Sequence, residues 1–400
     1  MIELDPVQTL ALAAVSLLLG YLLCRRLRPL ARYNIPPAVI GGLLVALVSL
    51  AFHQRGMTLL RLDTGLQAPL MVAFFTTIGF NASLSLLKLC GRQVAAFLGL
   101  ATALAIVQNL VGVAAAKAFG LHPLFGVLAG STTLAGGPAT GLAFAPLFER
   151  LGVSGAHTVA VAAAMGGIVC GGLVGGPIAT RLIEHYRLQP SEPAASVAPP
   201  AFDLQVTVPA ASEADAHVRA LTAVGLILVA MWFGSWISHG FDALGLTLPS
   251  YIGAMLVGCG LRNLDDASGW LRLPMPTLDV VGDVCLSLFL AVALMNLRLW
   301  DLAGLALPLL AILLIQVALV VLACWAVQRL MGRDYDAAVM AGGFAGFMLG
   351  TTANAMAVMK TVVERHGAAP RAFLVVPLVG AFLIDFTNAL VITGFMNLWA

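Results

Sequence analysis

The chain has 400 residues, of which 60% are hydrophobic and only 10% charged, where a soluble domain carries roughly 25% charged residues. That balance excludes a water-soluble fold, and a formal net charge of +2 gives no sign of a nucleic-acid partner. What remains is an all-α polytopic membrane protein, because only helices and closed barrels satisfy their backbone inside lipid.

Glu3 and Asp5 stand where a secretory signal would be basic, so 7–23 reads as a first span stopped by Arg25, Arg26 and Arg28 rather than as a cleaved leader. A bilayer core about 30 Å thick needs roughly 20 helical residues, and on that measure further spans are predicted at 37–52, 69–87, 94–116 and 158–180. Between them, 123–148 is apolar but interrupted by glycine, proline and hydroxyl residues. The stretch 187–218 is rich in Pro, Ala and acidic residues, cannot bury a core and is predicted to be a flexible linker. Spans resume at 220–238, 248–261, 280–297, 303–327 and 372–396, with a second broken segment at 337–359. The six cysteines lie far apart and the seven histidines are scattered. No metal centre or disulfide framework is signalled.

Basic residues decide how the broken segments lie. If both re-enter as hairpins, sixteen of the 21 Lys and Arg residues share one side, leaving Arg55, Arg61, Lys117, Arg150 and Arg298 on the other. If both crossed fully, the same residues would divide 11 to 10. Cytoplasmic loops carry the Lys/Arg excess, so hairpins are expected, with both termini outside and the linker in the cytoplasm. The halves also echo one another. Glu149-Arg150-x-Gly152 recurs as Glu364-Arg365-x-Gly367, Ala129-Gly130 as Ala341-Gly342, and Gln108 finds Gln316 in another long span. Five spans per half is an odd number, so the second copy is inverted. The expected organisation is an N-terminal repeat, 1–186, with a re-entrant loop at 123–150, then the linker, then an inverted repeat, 219–400, with a re-entrant loop at 337–360. That architecture is one of a secondary transporter.

Glycine and proline interrupt a helix because they cost about 1 and 3 kcal/mol in its interior, and free backbone at that depth is tolerated beside protein or a water-filled cavity. Helix N-termini left there favour anions and carbonyls favour cations. Ser131, Thr132, Thr133, Gly136, Gly137, Thr140 and Gly141 in the first break, with Thr351, Thr352 and Asn354 in the second, are therefore the candidate substrate ligands. Close helix packing is the plainer reading of such glycines, but two runs in corresponding places favour a binding site. Asp385 is the acidic residue deepest in a span, and Asn388 shares its helix face. Intramembrane carboxylates mark ion or proton paths, so these two are candidate cation ligands. Asn81 and Gln108 are carried with them, although interhelical hydrogen bonding is the simpler role for both, as for Asn109, Asn296 and Gln316. The spans hold no paired carboxylates, metal-ligand cluster or Ser/His or Cys/His set, so no enzyme is expected.

Longer blocks carry a resemblance. Pro36–Leu47, Pro69–Asn81, Gly130–Gly141, Leu286–Trp300, Leu307–Gln316, Tyr335-Asp336-Ala-Ala-Val and Ala372–Asn388 resemble the bacterial glutamate:sodium symporter family along nearly the whole chain. The resemblance implies sodium as coupling ion, uptake of L-glutamate across the cytoplasmic membrane by alternating access, and a homodimer. Where that family usually reads GGHGTG, this chain has Gly136-Gly137-Pro138-Ala139-Thr140-Gly141. A proton-coupled carrier or exchanger of a related amino acid or dicarboxylate, working through Asp385, is the alternative.

Overall fold

The computed structural model describes residues 2–27, 35–57, 60–190, 213–243, 248–302 and 304–399. Most of the expected linker, 191–212, lies outside the described residues. The chain opens with a short strand, β1 (Ile2–Leu4), and α1 (Pro6–Arg26). Asp5 and Gln8 close a capping box at the start of α1, Pro6 sits in its first turn, and Arg25 and Arg26 occupy its last. Each device matches the polarity of the helix end it serves. α2 (Pro37–His53) is followed by β2 (Leu60–Leu62), which pairs in parallel with β1 through Ile2 and Leu60.

The third predicted span ends earlier than expected. α3 (Gln67–Phe80) stops at Asn81, whose amide donates to the Thr77 carbonyl, and α4 (Leu84–Ala118) begins three residues later. α4 kinks at Gly91, which has φ 65°. The first broken segment is α5 (Pro123–Val127), a π-helical stretch (Leu128–Thr132) and α6 (Gly137–Arg150). α7 (Ala156–Tyr186), α8 (Glu213–Ala243), α9 (Tyr251–Ser268), α10 (Met275–Met295) and α11 (Ala306–Leu330) follow. The second broken segment is α12 (Tyr335–Met348) and α13 (Thr352–His366). Each helix of that pair, at 14 and 15 residues, is about 21–23 Å long and too short to cross the core alone. A Cβ on Gly346 would lie 3.0 Å from Ala355 Cα, and one on Gly343 2.5 Å from Met359 Sδ. α12 and α13 therefore run antiparallel against one another. The last span is α14 (Pro370–Leu378), a π-helical stretch (Val379–Leu383) and α15 (Ile384–Leu398). Pro377 offers no N–H to the carbonyl four residues back, and the helical register slips just beyond it.

Among the described residues, six helices are long and apolar enough to cross a membrane, including Pro6–Arg26, Ala156–Tyr186 and Ala306–Leu330. Large apolar side chains such as Leu18, Leu22, Trp232, Trp236, Leu314 and Leu322 are exposed, as lipid contact requires.

The helices gather into two compact units. One comprises Met1–Asp63, Gly91–Ala194 and Leu290–Ala400 and holds both broken segments. The other comprises Thr64–Cys90 and Ala195–Phe289. Its core contains Phe80, Ala223, Ile227, Ala230 and Leu278, and Phe75 stacks on Tyr251 at 3.8 Å. Beyond the apolar part of α9, Asp265 accepts the N–H groups of Leu271, Arg272 and Leu273 at 2.9, 2.9 and 3.0 Å. Those donors hold its carboxyl below the usual carboxylate range. A depressed folded pKa stabilises the turn above the unfolded value and loses that contribution as pH falls through the folded one. Asp265→Ala is expected to cost on the order of 1 kcal/mol, discounted for exposure. Hydrogen exchange should show the amides of 271–273 opening selectively, and unchanged protection there would contradict the assignment.

Candidate functional site

The two breaks meet within the first unit. Gly137 has φ +67°, the left-handed region where a side chain is strained. A Cβ on it would lie 3.2 Å from Thr351 Cγ2 and 3.5 Å from the Gly350 carbonyl oxygen. Gly137 is the first residue of α6, and Thr351 caps α13 by accepting the Asn354 N–H at 3.3 Å. The N-termini of two helices thus converge. First-turn N–H groups have no acceptor within their own helix, and each end carries about half a positive charge. No Lys or Arg occurs between Lys117 and Arg150 or between Arg333 and Lys360, so the broken segments themselves supply positive potential only through these dipoles.

Two adjacent amides on α4 tie the breaks together. Asn109 Oδ1 accepts the Ser131 N–H at 2.9 Å in the first break, beside Gly130, whose ψ of −132° interrupts the helix. Gln108 Nε2 donates to the Met348 carbonyl at 3.2 Å, at the end of α12. Gln316 on α11 donates to the Gln108 carbonyl at 2.7 Å. α4 comes close enough to do this because Gly112 faces Gly126 of α5, where a Cβ would stand 2.0 Å from the Gly112 carbonyl oxygen.

The last span closes the first break. Asn388 Nδ2 donates to the Ser131 carbonyl at 3.0 Å, and Thr352 Oγ1 donates to the Gly380 carbonyl at 2.8 Å in the second π-helical stretch. Asn354 Nδ2 donates to the carbonyls of Ile168 and Gly346 at 3.1 and 3.3 Å. Thr133 Oγ1 donates to the Leu128 carbonyl at 2.8 Å. Gly136 and Gly141 lie against the side chains of Thr140 and Thr133 respectively, which makes them packing positions. Asp385 opens α15 half-buried, three residues before Asn388, with no ion pair among the described residues. Asn81 lies in the other unit, where its amide donates to Asp279 Oδ1 at 2.9 Å.

Several buried polar atoms around the breaks have no hydrogen-bond partner among the described residues. They are Ser131 Oγ, Thr132 Oγ1, Asn388 Oδ1, Gln108 Oε1, Gln316 Oε1 and Asn109 Nδ2, all on residues no more than 1% exposed. An unmet buried polar group costs about 1–3 kcal/mol, so a cluster of them in an apolar protein marks a place built for something else. Uncharged hard oxygens suit a small alkali cation, and paired helix N-termini suit a carboxylate. Asn109 and Gln316 carry more of this arrangement than the sequence reading gave them. Two amides side by side in one apolar span were the available signal.

A cavity of about 670 Å³ runs between α7 and α13. Asn354 lines it next to the second break, and Arg181, Glu184 and Arg365 line it at the helix ends. Gly172, Gly176, Thr180 and Glu184 recur every four residues along its α7 wall, which Leu173 also lines. A Cβ on Gly176 would meet nothing within 4 Å. Pro177 also lines it and leaves the Leu173 carbonyl without its helical donor.

The chain matches the family model described as sodium/glutamate symporter over residues 2–368. It is 42% identical over 400 residues to the sodium/glutamate symporter of Escherichia coli (strain K12), covering 100% of this chain and 99% of that one. The figures are the same for the sodium/glutamate symporter of Shigella flexneri. The sodium/glutamate symporter of Haemophilus influenzae is 40% identical over 390 residues, 96% of this chain and 95% of its own. No solved structure matches the chain.

Proposed function

Because the chain belongs to the sodium/glutamate symporter family, we propose that it couples sodium entry to L-glutamate uptake across a bacterial cytoplasmic membrane. The observation that carries this reading is the meeting of two helix N-termini at Gly137 and Thr351, beside buried oxygens that lack partners among the described residues. The glutamate carboxylates are held at the first turns of α6 and α13, with the hydroxyl of Thr351. Sodium is held by Ser131 Oγ, Thr132 Oγ1 and Asn388 Oδ1, with Asp385 completing the charge. The cavity between α7 and α13 is the passage between the breaks and the cytoplasm.

On this reading 1–186 and 219–400 are inverted repeats, each broken segment re-enters from one side, and two copies form a dimer. The antiparallel pair α12–α13 and the matched positions of Gln108 and Gln316 support it. Cysteines replacing Glu3 and Trp399 should react with impermeant reagents from outside, and one replacing Ser196 only from the cytoplasm. Residues 3 and 196 labelled from one side would overturn the five-span arrangement.

The direct test is uptake of labelled glutamate into proteoliposomes under separate gradients. A sodium gradient alone should drive accumulation, whereas a proton gradient alone should not. Accumulation driven by protons would favour the second reading, which the half-buried, unpaired Asp385 keeps in play. Asp385→Asn separates the two at residue level. With sodium coupling, the variant should need far higher sodium or fail to transport. With proton coupling, it should lose pH dependence and uphill uptake but keep exchange between equal pools. Wild-type sodium dependence in the variant would make Asp385 structural.

A further inference from the structure

A second cavity, about 730 Å³, opens between α7 and α11, and nothing in the transport reading uses it. Arg181, His185, Arg329 and Arg333 line it, and no carboxylate among the described residues does. Glu184, which with Arg181 also lines the cavity between α7 and α13, does not line this one, and Asp334 pairs with Arg371 while capping the Ala337 N–H. Arg181, Arg329 and Arg333 are exposed and make no ion pair among the described residues. Three guanidiniums around one concavity form an anion site, because a guanidinium matches phosphate oxygens in pairs.

The remaining walls say which anion. Ile178, Leu182 and Val321 line the cavity with apolar surface, and the exposed rings of Trp325 and Tyr186 stand at it. Such rings sit at the level of lipid headgroups. Phosphate below and hydrocarbon above describes a phospholipid rather than a free ion. Gln328 adds a preference. Its Nε2 donates to the Asp334 carbonyl at 3.2 Å, and its Oε1 is buried and without a donor among the described residues. An acceptor there calls for a hydroxyl on the headgroup.

We propose that the cavity between α7 and α11 binds the headgroup of an anionic glycerophospholipid carrying a free glycerol hydroxyl, such as phosphatidylglycerol. The phosphate lies among Arg181, Arg329 and Arg333, the headgroup hydroxyl donates to Gln328 Oε1, and the acyl chains lie along α7 and α11.

The test is titration of delipidated full-length protein with phosphatidylglycerol, read by native mass spectrometry, beside Arg329→Gln/Arg333→Gln. At about 1 kcal/mol per basic residue, the double variant should bind about thirtyfold more weakly. Arg55→Gln/Arg61→Gln removes equal charge elsewhere and should leave binding unchanged. Equal loss in both double variants, or equal binding of phosphatidylcholine, would overturn the site. Millimolar inorganic phosphate should fail to displace the lipid, and displacement would assign the cavity to free phosphate instead. Gln328→Leu keeps the charge and should abolish the preference for phosphatidylglycerol over phosphatidate. A preference that survives it would remove the hydroxyl contact from the proposal.

Discussion

Gly137→Ala should lower the initial rate of glutamate uptake by one to two orders of magnitude while leaving the protein in the membrane. Holding a side chain in the left-handed region costs about 1–2 kcal/mol, which alone is about 5- to 30-fold. The new methyl also has only 3.2 Å to Thr351 Cγ2. These two costs are separable. Thr351→Ser removes the methyl opposite but keeps the hydroxyl that accepts the Asn354 N–H. Adding it to Gly137→Ala should restore several-fold activity, leaving the backbone cost in place. The cycle is read from uptake rates normalised to protein in the membrane. Simple additivity would mean that the two breaks do not press on one another in the transporting protein.

Gly176→Phe tests the passage. A Cβ at this position meets nothing within 4 Å, so the ring has space and the fold should survive. It fills the lane between α7 and α13, and uptake is expected to fall more than tenfold. Gly176→Ala should behave almost as wild type, because a methyl leaves most of a cavity of about 670 Å³ free. Thermal stability in detergent, with and without sodium, provides the control. Loss of uptake with an unchanged sodium-dependent stabilisation locates the defect in the passage. Full uptake in Gly176→Phe would send the substrate by another route.

Much of this was legible before the structure, for a physical reason. Glycine and proline runs in membrane helices break local propensity, so Gly130, Gly136-Gly137-Pro138 and Gly350 announce the helix ends that later meet. The long spans were legible because lipid demands apolar length. The partners were not. Nothing local in Asn109 says that it will hold the Ser131 N–H 22 residues away, or in Asn388 that it will reach the Ser131 carbonyl. Asn81 is the same residue type, yet it sits exposed at the end of α3, where its side chain serves that helix end and Asp279. Which amide faces which helix is decided by packing between distant segments. The grouping of α3, α8, α9 and most of α10 into one unit is of the same kind, because it joins pieces of both chain halves that carry no shared local pattern.

Gln108 and Asn109 are consecutive residues, yet one is tied to each break. A peptide unit is a short and stiff ruler, so a shift of either break pulls on the other. If the cation settles the first and the carboxylate bridges both, a half-loaded carrier has its two ends out of step. Leak requires one ion to cross alone, and that requires one break to rearrange by itself. The paired amides would oppose such a movement, and on that reading they guard against slippage rather than supply affinity. Their loss would then appear first as sodium running downhill without cargo, before any change in how tightly glutamate is held.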